Sequence, residues 1–261
     1  MSRGQLSWVL GLNVVVLALG ATAWAGDSVV NTVVDMTPAG RLVPPPSVGH
    51  PTFYVPVLGG YLMRGASVAG EPAPPPPTEV AKLVARALAT QGYFLFSYDP
   101  TKAIPSLVLS IHWGYMNPDM DEGTTPDGDS TGTSVYNQGE EIALLGGNTM
   151  HNLDLDFERE AVMQGIEQDR YFIVISAYDL RAYMGKKHHK ELLWQAKMSV
   201  PSNRVTLGDV LAGMLDAGAP HFGRESTRPT ATMITTGPQG HVQIGTPEVK
   251  DYQDAGAGSK K

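Results

Sequence analysis

Carboxylates and histidines carry whatever chemistry this chain offers, because its 261 residues include no cysteine. That removes thiol nucleophiles, disulfides, Cys-ligated zinc and iron–sulfur clusters together. The densest carboxylate group lies in residues 117–139, where Asp119, Asp121, Glu122, Asp127 and Asp129 stand among Gly, Thr, Ser and Pro. His112 precedes them on a stretch with strand-like alternation. A histidine beside two carboxylates is the minimum for general acid–base hydrolysis, provided the acids are held a few ångströms apart. Asp127-Gly128-Asp129-Ser130-Thr131-Gly132 also copies the opening of a calcium loop, with oxygens at positions one, three and five and glycine at six. The twelfth position, which supplies the bidentate carboxylate in such loops, is Gln138. The loop is therefore read first as a solvated acidic segment, with calcium as the one cofactor for which it offers ligands. His188-His189 is a poor metal pair, because adjacent residues on a strand or turn point apart. His151, Asp154 and Asp156 match no metal-ligand spacing, and the two carboxylates suit the start of a helix instead. Asp119, Asp121, Asp127, Asp129 and His112 are the candidate binding residues; no residue is assigned as catalytic.

The elements that must position them are read from periodicity. From Thr78, apolar residues fall at Val80, Leu83, Val84, Ala87 and Leu88, the stripe of an amphipathic helix with Thr78 as its cap and Gly92 as its stop. Tyr93 to Tyr98 and Leu107 to Trp113 follow as strands, the second with Leu107, Leu109, Ile111, Trp113 and Tyr115 on one face. Thr52 to Val57 alternates too, but Pro51 and Pro56 predict an edge position. Tyr171 to Asp179 is apolar on both faces and predicts a central strand, joined to Glu191–Val200 in an antiparallel hairpin. Asp154 to Gln168 predicts a further helix. Thr206 caps a last one, whose stripe is Leu207, Val210, Leu211, Met214 and Leu215.

The sum is an α+β, two-layer sandwich: a mixed, mainly antiparallel sheet of four to five strands under two to three helices. Residues 52–220 form that single domain. Residues 26–51 read as a flexible Pro-rich spacer and 221–261 as a mostly disordered tail. Met1 to Ala25 has the layout of a secretory signal, with Arg3, an apolar run from Trp8 to Trp24, and Ala23-Trp24-Ala25 as the cleavage pattern. The mature chain is expected to start at Gly26, in the periplasm or secreted, with no membrane span left after cleavage.

The motif order resembles a class of small bacterial envelope domains, often lipoproteins, of unknown function. The likeness rests on Ala87-Leu88…Gly92-Tyr93, Pro105-Ser106-Leu107, Leu193-Trp194 and the helix from Leu207 to Leu215. It spans roughly Phe53 to Pro220. Members typically carry an acidic residue where Ser106 stands and a lipidated cysteine that this chain lacks. The resemblance implies an envelope location and an α/β core, and brings no activity with it.

A formal charge of −7, from 19 Lys plus Arg against 26 Asp plus Glu, disfavours nucleic acid as a partner. There is no phosphate loop, no nucleophile elbow and no zinc-type histidine pair. The expectation is a non-enzymatic binding or accessory domain with an envelope protein as partner. The alternative is a carboxylate-dependent hydrolase with its site in the 117–139 loop.

Overall fold

The computed structural model describes residues 26–47, 49–64, 73–97, 104–116, 143–146, 160, 165, 168–184, 189–203 and 205–236. The signal-like segment, the acidic loop and most of the helix expected over Asp154–Gln168 lie outside them. The described elements are β1 (Gly26–Met36), β2 (Thr52–Arg64), α1 (Pro77–Ala89), β3 (Tyr93–Leu95), β4 (Leu107–Met116), β5 (Arg170–Asp179), α2 (Leu180–Met184), β6 (Leu192–Pro201), α3 (Leu207–Gly218) and β7 (Thr230–Thr236).

All seven strands join one sheet in the order β3-β2-β4-β5-β6-β1-β7. The β2 pairings with β3 and β4 are parallel, and the other four are antiparallel. A sheet this wide accumulates the right-handed twist of its strands and curls into a half-barrel. The four- to five-stranded sandwich expected from sequence is thus corrected to a broader, strand-dominated architecture. The extra strands come from the segments read as spacer and tail. Residues 26–36 are β1, flanked on both sides by β6 and β7, and residues 230–236 are β7. In β1 the apolar pairs Val29-Val30 and Val33-Val34 are separated by Asn31 and Thr32, which hides the period-two pattern. Val30, Thr32 and Val34 are nonetheless fully buried. In β7 the β-branched threonines suit a strand without reading as apolar. The link to β7 is also tied down: Ser226 exchanges two hydrogen bonds with the Val34 backbone, at 2.9 and 3.1 Å, and the Arg41 guanidinium clasps Glu225.

One face of the sheet is sealed by α1 and α3. Val80, Val84, Ala87 and Leu88 from α1 meet Leu207, Val210, Leu211, Met214 and Leu215 from α3 over Leu109, Ile111, Ile173 and Ile175 of the central strands. The start of α1 differs from expectation. Pro77 opens the helix with its fixed φ, Pro76 occupies the cap position, and Thr78 makes no capping bond. Gly92, at φ 82°, turns the chain out of α1 into β3 in the left-handed conformation that only glycine adopts freely. At α3 the sequence signal is realised in full: the Thr206 hydroxyl accepts from the Asp209 N–H at 3.2 Å, and the Asp209 carboxylate accepts from the Thr206 N–H at 2.9 Å.

Two outcomes check this frame. Thr206→Ala removes one half of the capping box and is expected to cost about 1 kcal/mol in chemical denaturation. Ile234, whose side chain reaches Gly213 of α3, marks the inner side of β7, whereas Met233 is 69% exposed. Ile234→Asp is expected to destabilise by roughly 1–3 kcal/mol and Met233→Asp by under about 0.5 kcal/mol.

Candidate functional site

Strand alternation decides what the second face of the sheet displays. With Leu107, Leu109, Ile111, Trp113 and Tyr115 committed to the helices, β4 turns Val108, Ser110 and His112 the other way. Register carries this row across the sheet: Ser110 lies opposite Ser176, Ser176 opposite Gln195, and Gln195 opposite Asp35. The next rung runs from His112 through Val174 to Lys197. Gln195 donates to the Ser176 hydroxyl at 2.8 Å. Lys197 donates to the Asp35 carboxylate at 2.6 Å and to the Ala143 carbonyl at 3.0 Å. The Lys197 side chain is 8% exposed, so its charge is held by that carboxylate and carbonyl rather than by water.

His112 is positioned by a defect in the neighbouring strand. Between Leu58 and Gly60 the β2–β4 register slips by one residue, and the His112 ring lies over Gly59 so closely that a Cβ there would collide with it. The bulge lets Leu62 return to the second face, where it packs with Met116, Phe172 and Leu144. The Nε2 of His112 is 3.1 Å from the Ser110 hydroxyl, and its Nδ1 is buried with no hydrogen-bond partner. A serine within reach of a histidine is two-thirds of a nucleophilic triad. No group that would orient the imidazole through Nδ1 is present among the described residues, and the Gly59 backbone lies against the ring.

Two clefts open on this face. One, of about 410 Å³, is walled by Phe172 and Val174 and floored by Ser176, Gln195 and Lys197, with the 143–144 segment at one end. The other, of about 540 Å³, lies toward α2 and is lined chiefly by Val55, Val57, Phe96, Val108, Leu180 and Met184. Ser110, His112 and Tyr178 belong to both, so the clefts meet at a polar neck. Arg64 and Lys197 line the first and Lys190 the second, and no carboxylate is among the described lining residues of either. Both volumes fall within the range of small-molecule sites, roughly 300–1,000 Å³.

Of the residues singled out from sequence, His112 is at the neck, partly buried. Asp119, Asp121, Asp127, Asp129 and the whole calcium-like hexapeptide lie outside the described residues, as does His188. His189 lines neither cleft. Among the described residues no group of three His, Asp or Glu side chains could hold a metal ion. The residues that sequence reasoning missed are Ser176, Tyr178, Gln195 and Lys197. Gln195 and Lys197 lie in the wet alternation of β6, legible as solvent exposure but not as a site, and Ser176 and Tyr178 lie on β5, whose two faces both read as apolar.

No family model matches this chain, and no curated protein does. Among solved structures, the chain is similar to a PelC dodecamer from Paraburkholderia phytofirmans, at a TM-score of 0.35 and 10% identity over 74% of this chain and 99% of that one. A likeness of that size carries no argument about fold or function.

The Lys197–Asp35 pair generates an asymmetric expectation. Asp35→Asn strands an ammonium in a nearly closed site and is expected to cost about 2 kcal/mol. Lys197→Met leaves a carboxylate whose side chain is 32% exposed and is expected to cost about 1 kcal/mol. The double variant should be more stable than the sum of the two losses, as read from paired denaturation curves.

Proposed function

We propose that the protein is an exported, non-enzymatic binding or accessory domain of the cell envelope, periplasmic or secreted, that takes its ligand or partner on the second face of its sheet. The observation behind this reading is the arrangement of the described elements: α1 and α3 lie on one face of the sheet, while among the described residues the other face carries two clefts joined at Ser110, His112 and Tyr178. The Ala23-Trp24-Ala25 pattern after an apolar run supports export. Among the described residues no helix is long and apolar enough to cross a membrane. No observation favours the hydrolase alternative at the 117–139 loop.

Export and face are tested together by photo-crosslinking in cells. Benzoylphenylalanine placed at Tyr178 is expected to give covalent adducts, read by intact mass, in an envelope fraction where the chain begins at Gly26. The same group at Lys82, exposed on α1, is expected to give none. Absence of adducts at Tyr178, or adducts confined to Lys82, overturns the assignment of the face. A chain retained in the cytoplasm overturns export.

A further inference from the structure

On the reading just given, we infer that the two joined clefts form one trough for an uncharged, single-chain aliphatic molecule with a hydrogen-bonding amide, ester or hydroxyl near its middle.

Shape carries the first part of the argument. Val108, Ser110, His112 and Met116 of β4 line the clefts, and so does every second residue of β5 from Phe172 to Tyr178. The trough therefore runs lengthwise along two neighbouring strands. From Val108 to Met116 that is about 27 Å, at roughly 3.4 Å per residue. Its lining is mainly apolar at both ends, with Leu62, Met116, Leu144 and Phe172 at one and Val55, Val57, Leu180 and Met184 at the other. Polar side chains gather between them, at Ser110, His112, Ser176 and Tyr178. Val57 is 48% and Met184 72% exposed, so the α2 end offers apolar surface that a ligand takes out of water.

Charge carries the second part. Lys197 is neutralised by Asp35, and Arg64 has an interaction of its own. Lys190 is exposed, so its ammonium is solvated and leaves no bare charge in the trough. No carboxylate is among the described lining residues. A cationic ligand thus finds no counter-charge, and an anionic one finds no buried lysine or arginine that is uncommitted. Either ion would lose its hydration without compensation.

Hydrogen bonding carries the third. The Tyr178 hydroxyl makes no hydrogen bond among the described residues, and the Ser110 hydroxyl has only the His112 ring beside it. The trough thus meets one neutral polar group at its middle. An extended polypeptide fits less well: its backbone carries a donor and an acceptor at nearly every residue, and the apolar ends would leave them unpaired.

Displacement of the neutral dye N-phenyl-1-naphthylamine, whose fluorescence rises in apolar surroundings, tests this on the purified protein. N-hexylhexanamide, with its amide at mid-chain, is expected to displace the dye at a concentration about tenfold or more below that needed of decanoate or decyltrimethylammonium. All three are used below their micellar limits. Val57→Asp and Met184→Asp, at exposed positions, are each expected to weaken the amide by about tenfold while the thermal midpoint of the free protein stays in place. Tyr178→Phe is expected to weaken the amide about fivefold more than it weakens the dye. An amide that leaves the dye in place, or is matched by either ion, overturns the uncharged class. Unchanged binding in both aspartate variants overturns the site, and equal weakening of dye and amide in Tyr178→Phe overturns the mid-chain contact. Failure of both dye and amide to bind, while position 178 still gives photo-adducts, overturns the ligand class and leaves the binding face standing. Failure of both without adducts overturns the two together.

Discussion

The period-two alternation of a β-strand is the constraint on which this structure depends. Along β4 it sends five large apolar side chains into the helices and turns Val108, Ser110, His112, Gly114 and Met116 the other way. Slipping the β4–β5 register by one residue would exchange the two sets, putting Ser110 and His112 under α1 and Trp113 into water. The cost of that exchange is what holds Ser110 opposite Ser176 and His112 opposite Val174. The site is the complement of the core: it consists of those side chains that the core does not take.

The bulge at Gly59 shows the same rule meeting a local exception. An extra residue in β2 shifts its phase, so that Val57 and Leu62 can both face the clefts although their positions differ by an odd number. The glycine at that point leaves room for the imidazole, which sits against its backbone. Leu193 plays a comparable part on β6, where the β5 register also slips and the side chain joins the helical core instead of following Gln195 and Lys197 outward. Both irregularities lie on strands that line the clefts, as bulges beside binding sites commonly do.

Elements with strong local signals are legible in the sequence. The stripes of α1 and α3, the capping residues Thr206 and Asp209, and the alternation of β4 and β5 all follow from nearest-neighbour patterns. The outer strands are not, and with them goes the width of the sheet. β1 and β7 are stabilised by each other and by β6, so their strand character depends on partners far away in the chain. The site is legible only as His112. Lys197 reads as a residue on a solvated face because sequence does not show that Asp35, on a strand with the look of a spacer, comes to meet it. The short α2 turn that walls the larger cleft has no buried residue and hence no periodic signature.

The place of β1 in the sheet also governs the order of assembly. Asn31, near the start of the described chain, pairs with Ser199 on one side and Ala231 on the other. Neither partner exists until most of the polypeptide has been made, so on emerging from the ribosome β1 has no ladder to join and both its edges stay bare. Contacts of such sequence separation form slowly, because a long loop must close first. The β1 ladder therefore closes only after β6 and β7 have been made.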